Sequence, residues 1–203
     1  MKERPILFSA AMVRAILEER KTQTRRPLKD QPLDVIPMLV LHEWCGLMSK
    51  EPARGAVFGC RYGVPGDRLW VKETHWRFGW WIKNGWTKKG KQAWKFAADG
   101  LHKHAAFTPP HHNPSRTEKG WHKRPSIFMP RWASRITLEI TAVRVERLQD
   151  ITHEDAACEG VQDVNTGDFI TPYATLWDKI NRKTHPWPIN PWVWVITFKR
   201  INP

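Results

Sequence analysis

The chain has 203 residues, of which 41% are hydrophobic and 26% charged, a balance that excludes a disordered polymer and supplies apolar mass for one good core. Its 33 Lys and Arg outnumber 20 Asp and Glu, for a formal charge of +13, so a polyanion is the partner to expect, with nucleic acid ahead of a membrane surface. No run of about 18 apolar residues occurs, which excludes an apolar spanning helix.

In chain order, Pro5–Ser9 reads as a short apolar strand, and Ser9 as the N-cap of a helix whose Met12, Val13, Ile16 and Leu17 share one face. The stretch Ala15 to Lys29 follows that helix into a knot of cations and hydroxyls: Lys21, Thr22, Thr24, Arg25 and Arg26. Pro27 stops any continuation of the helix. Residues 28–62 are short apolar runs punctuated by Pro32, Pro37, Gly46, Pro52, Gly55 and Gly59. Pro65-Gly66-Asp67 is a turn that opens an alternating strand through Thr74.

Between His75 and Arg124 the composition shifts to Trp, Lys and His, as in "TKKGKQAWK" and "FTPPHHNPSRTEKG". This reads as a long insertion at about 75–125 with a mobile tip near Thr108–Gly120. Ser134–Thr152 is the clearest strand, with Ile136, Leu138 and Ile140 on one side and Thr137, Glu139 and Thr141 on the other. Thr152 with Asp155 signals a cap for a helix that Gly160 ends. Pro172–Arg182 is a second helix with proline in its first turn, and Asn190–Arg200 a closing strand. The order predicts one α+β domain over residues 1–203, with a small, curved, mainly antiparallel β-barrel, flanking helices and the insertion.

Few residues suggest chemistry. Thr24 becomes a nucleophile only if a base takes its proton. Lys21 becomes that base only if burial or nearby cations lower its pKa; alternatively, these cations simply favour the end of a helix. Glu159 sits at a helix C-terminus, where a carboxylate is unfavourable without a cation. Glu73 is either a substrate contact or a salt bridge to a neighbouring Arg. His102, His104, His111 and His112 have no helix-spaced partner set and read as solvated, so neither a metal nor another cofactor is expected. Cys45, Cys60 and Cys158 contain no C-x-x-C pair and fit a reducing cytoplasm; the N-terminus lacks a signal-peptide apolar region, which also points to a cytoplasmic protein.

The run Glu19-Arg20-Lys21-Thr22-Gln23-Thr24-Arg25-Arg26 resembles the Gly-x-Lys-x-x-Glu/Thr-x-Arg pattern of the ASCH-domain superfamily, with Glu19 where that family has glycine. "GDRLWVKE", "RLQDITHEDAACEG" and "LWDKIN…NPWVWVITFK" are similar to segments of phage and prophage ASCH-like proteins. The resemblance implies a PUA-like fold. Small bacterial members hydrolyse N-4-acetylcytidine with Lys, Thr and Glu, which fall here on Lys21, Thr24 and Glu159. Arg25, Arg26, Trp70, Lys72, Glu73, Arg131 and Trp132 are the candidate substrate-binding residues. Other members are ribonucleases or RNA-binding modules. The expected partner is therefore a modified cytosine nucleoside or a nucleic acid, RNA or single-stranded, with no membrane.

Overall fold

The computed structural model describes residues 1–29, 31, 35–40, 43–49, 59–104, 107, 114–162 and 167–201, with backbone only for 35–40 and 43–49. The expected mobile tip at 108–120 falls partly outside this set, as do His111, His112, Pro52 and Gly55. The chain divides into two compact units: Met1–Ile6 with Ala11–Trp70 and Ile136–Pro203, and Leu7–Ala10 with Val71–Arg135. The sequence pattern predicts a single domain with an insertion at about 75–125.

The elements are β1 (Glu3–Leu7), α1 (Ala10–Leu17), β2 (Gln23–Pro27), β3 (Val35–Val40), β4 (Glu43–Ser49), β5 (Arg68–Lys72), β6 (His75–Trp86), β7 (Gln92–His104), β8 (Gly120–Arg124), β9 (Thr137–Arg147), α2 (His153–Cys158), α3 (Ile170–Asn181) and β10 (Trp192–Ile201). The class is α+β, strand-rich with few helices. A five-stranded sheet runs β1-β5-β9-β10-β2. Its ladders around β9 and β10 are antiparallel. Among the described residues no ladder joins β1 to β2, so as paired the sheet is open rather than a closed barrel. β3 and β4 form an antiparallel pair.

Alternation explains β10. Val193 and Val195 join a buried cluster with Leu148, Ile151, Ala156, Tyr173 and Trp177, which seats α2 and α3 on that face of the sheet. β9 ends at Arg147, earlier than the strand pattern suggested, because Asp150 accepts the Arg147 N–H at 3.3 Å and tightens the chain into a short 3₁₀ turn. Thr152 then caps α2 by accepting the Asp155 N–H, as its spacing predicted. α3 begins at Ile170, where the Asp168 carboxylate accepts the N–H groups of Ile170 and Thr171.

The larger departure concerns the cation knot. α1 stops at Leu17, and Glu19 adopts φ 60°, the left-handed conformation that reverses the chain. Lys21 therefore lies outside the helix, in an isolated bridge with Glu159, and Thr24 lies in β2. Helical spacing brings no pair of these residues together.

The second unit is built on a three-stranded sheet, β7-β6-β8. Its strands β6 and β7 run 12 and 13 residues, where the sequence pattern predicts only a long insertion. Aromatic residues fall on consecutive as well as alternate positions here, so the period-2 signal is weak.

Candidate functional site

The first unit gathers a set of charged and polar side chains around the end of α2. Sheet register explains how. Arg25 of β2 lies opposite Val195, which lies opposite Arg144 of β9. One step along, Pro27, Val193 and Glu146 form the next row of the same face. The valines between are short, so long side chains from the outer strands meet over them, under α2 and α3.

Arg25 is the hub. Its Nε donates to Glu146 Oε1 at 2.9 Å, Nη2 to Asp155 Oδ2 at 2.7 Å, and Nη1 to Gln23 Oε1 at 2.7 Å and Glu159 Oε1 at 3.4 Å. Arg144 closes the network, donating to Glu146 Oε2 at 2.9 Å and Asp155 Oδ2 at 2.7 Å. Burial opposes the Arg25 charge, but the Glu159 and Glu146 carboxylates outweigh it and raise its pKa. Arg25 is thus committed to protein partners.

Lys21 is 2% exposed. Its Nζ donates to Gln23 O at 2.7 Å, Glu159 O at 2.8 Å and Glu159 Oε2 at 2.7 Å. Three acceptors match the three N–H bonds of an ammonium. Burial pulls the lysine pKa below its ordinary value; the Glu159 carboxylate opposes this, and Arg26 and Arg25 add to it. The two groups stand 2.7 Å apart as a buried ion pair. Gly160 makes the approach possible: at φ +86° a Cβ there would lie 2.8 Å from Ala15 Cβ and 3.0 Å from Lys21 Cβ. Arg20 holds the Gly160 carbonyl at 3.1 Å.

Thr24 is buried and has no side-chain hydrogen bond to Lys21 or Glu159 among the described residues. Alternation places it on the other side of β2 from Gln23 and Arg25. It nevertheless lines the same narrow cleft as Arg25, Arg26, Glu159, Tyr173 and Trp177, which holds roughly 30 Å³, room for a water or two. The expected trio is thus a bonded pair with a cleft neighbour. Burial, with the Glu159 charge second, raises the Tyr173 phenol well above its ordinary pKa, so it stays a neutral hydroxyl.

The other candidates are dispersed. Trp70 is half-buried in β5, opposite Thr137. Lys72, Glu73, Arg131 and Trp132 belong to the second unit. There Glu73 is 2% exposed and held by Arg135 at 2.8 and 3.1 Å, the salt-bridge alternative for this residue; Lys72 Nζ donates to Ile127 O; Arg131 and Trp132 are exposed. Among the described residues no group of three His, Cys, Asp or Glu side chains could hold a metal ion. Glu146, Asp155, Gln23, Arg144 and Tyr173 were missed as site residues. Only Gln23 carried a local signal: it stands two residues from Lys21 and from Arg25, a strand spacing rather than a helical one.

Comparison with protein-family models, with curated proteins and with solved structures returns no match.

Proposed function

We propose that the protein is an ASCH-related, PUA-like amidohydrolase of the cytoplasm that removes an acyl group from N-4 of a cytosine nucleoside. The observation that carries this reading is the 2.7 Å contact between Lys21 Nζ and Glu159 Oε2 in a buried setting. Such a setting lowers the lysine pKa toward that of a general base. Two further observations support it. Thr24 lines the cleft that Glu159 lines. Glu19 takes φ 60°, a conformation for which glycine is the usual residue, at the position where the ASCH pattern has glycine. Kinship with the PUA-like barrel is part of the proposal.

In the proposed reaction the neutral Lys21 amine takes the Thr24 hydroxyl proton as the oxygen attacks the acyl carbon. The acyl–N-4 bond breaks, the proton passes to the leaving cytosine amine, and the acyl ester on Thr24 is hydrolysed by water, giving the carboxylic acid and restoring the hydroxyl. Glu159 orients Lys21 and holds its charged form between steps. The cleft is far smaller than a nucleoside site of several hundred Å³, so productive binding requires it to widen.

The test is turnover of N-4-acetylcytidine by the wild type and by Thr24→Val, with circular dichroism confirming the fold. The variant should lose at least about a hundredfold. Full hydrolysis by Thr24→Val removes the nucleophile assignment, and a wild type inert toward acylated cytidines removes the reading. The second reading, an RNA- or DNA-binding module or a metal-independent ribonuclease, is favoured by the +13 charge, because a free nucleoside carries no phosphate.

A further inference from the structure

The charge is not spread along the chain. Residues 71–135 hold fourteen Lys and Arg against three Asp and Glu, and seven of the thirteen Trp. The second unit therefore carries nearly all of the excess, and its sheet arranges that excess against aromatic rings.

On one face of β7-β6-β8, Trp81 lies opposite Phe96, and Trp94 opposite Lys83. Their alternation puts Trp81, Trp94 and Phe96 on the same side. The Arg116 guanidinium stands 5.2 Å from the Trp94 ring centre. Its backbone carbonyl accepts the Trp81 N–H at 2.9 Å, which fixes the loop beside the rings. Trp81, Trp94, Arg116 and His122 line one pocket of about 350 Å³. The same pattern continues along the strands: Arg124 stands 4.5 Å from Trp81 and 5.0 Å from Phe128, and Arg77 5.4 Å from Trp132. Phe128 and Trp132 are 59% and 61% exposed. Flat rings interleaved with guanidinium groups are the surface on which unpaired bases stack while their phosphates meet cations. The bases of a duplex are stacked on each other and cannot enter a pocket lined by two indoles. An acidic peptide would use the cations but leave the indole walls unused.

We infer that this face binds single-stranded nucleic acid, with one base held in the Trp81–Trp94 pocket, its phosphate on Arg116, and the strand running on toward Arg124, Phe128 and Trp132. The inference does not rest on the acyl-cytidine reading, and its test scores binding alone. From Trp94 to His102 the strand extends about 27 Å, a length that accommodates about four to eight nucleotides of the single-strand site sizes that such surfaces take.

The experiment is fluorescence anisotropy of the full chain with a labelled twelve-nucleotide oligouridylate, with a duplex of the same length, and with a polyglutamate peptide. The single strand should bind tightest, and its affinity should fall steeply between about 50 and about 200 mM salt. Trp94→Ala should weaken binding about five- to a hundredfold. Arg116→Ala, an exposed change, should weaken binding and reduce the salt slope by about one phosphate contact. Lys183→Ala, in the first unit, should leave affinity within about twofold. Because Trp94→Ala can disturb the sheet, crosslinking of a 4-thiouridine oligomer to the unaltered chain is the second measurement, with adducts expected on Trp81, Trp94 or Phe96. The proposal is overturned by an absence of single-strand binding, by equal or tighter binding of the duplex or peptide, by wild-type affinity in Arg116→Ala, or by adducts confined to residues outside 71–135.

Discussion

Replacing Lys21 by Met keeps most of the side-chain volume and removes every donor. Gln23 O, Glu159 O and Glu159 Oε2, at 2.7, 2.8 and 2.7 Å from Nζ, then face a thioether. Glu159 is 4% exposed and, among the described residues, keeps only the long 3.4 Å side-chain contact from Arg25 Nη1. Removing one partner of a buried ion pair costs about 3–5 kcal/mol, and the remaining Arg25 contact puts this case at about 3. Glu159→Gln keeps an oxygen for Nζ but strips its counter-charge, at about 2 kcal/mol, the scale of a hydrogen bond to a charged group. The double variant leaves no charge uncompensated, so it should cost about 3 rather than the additive 5, a coupling of about 2 kcal/mol. Urea unfolding followed by far-UV circular dichroism measures all four proteins, and the Lys21→Met midpoint should fall by about 1–1.5 M. A coupling near zero, or a Lys21→Met midpoint equal to wild type, would refute the buried-pair argument, because it would mean that Nζ and the carboxylate are both hydrated.

Gly160→Ala should cost about 2–4 kcal/mol in the same assay, combining the left-handed φ of +86° with a Cβ 2.8 Å from Ala15 Cβ; a neutral change would refute the tight approach. Glu19→Gly should stabilise by about 0.5–1 kcal/mol, since φ 60° strains a residue with a Cβ and the side chain is exposed; destabilisation would show that the Glu19 side chain contributes more than its backbone strain costs. His75 is 0% exposed, and burial, with the nearby His102, Arg77 and Arg124 charges, lowers its pKa from 6.5 to about 4. The unfolded chain then binds the proton first as pH falls, so stability is complete above pH 6.5 and declines toward pH 4. The loss between pH 7 and 5 should be about 2 kcal/mol, and an unchanged slope in His75→Phe would assign it elsewhere.

The parts legible in the sequence were those set by neighbours along the chain. Alternation in β9 and β10 located both strands, Thr152 announced α2, and the misplaced carboxylate at its end announced a cation for Glu159. What stayed illegible depended on register between distant strands. Lys21 and Arg25 looked like helix-end solubility because the carboxylates that bury them, Glu146, Asp155 and Glu159, lie 121 to 138 residues away. Glu19 disguised the turn by occupying a conformation for which glycine would have been the visible cue. The long β6–β7 ribbon hid behind its own aromatic content, since rings on both faces erase the in–out contrast that marks a strand.

The connection between β5 and β9 has a consequence for how the chain folds. These strands are antiparallel neighbours, with Trp70 opposite Thr137, so residues 71–136 are the loop of a single hairpin. Closing a flexible loop of that size costs about 2–3 kcal/mol more than closing a four-residue turn. The excursion, however, carries its own clasp. Ser134 Oγ donates to Val71 O at 2.8 Å, and Arg135 grips Glu73 through two hydrogen bonds. A second unit that folds first would bring its two ends together and present β5 and β9 to each other across what is, entropically, a short link. In that order of events the central ladder of the other unit closes across a short effective loop, and most of the closure entropy of residues 71–136 is already spent within the excursion.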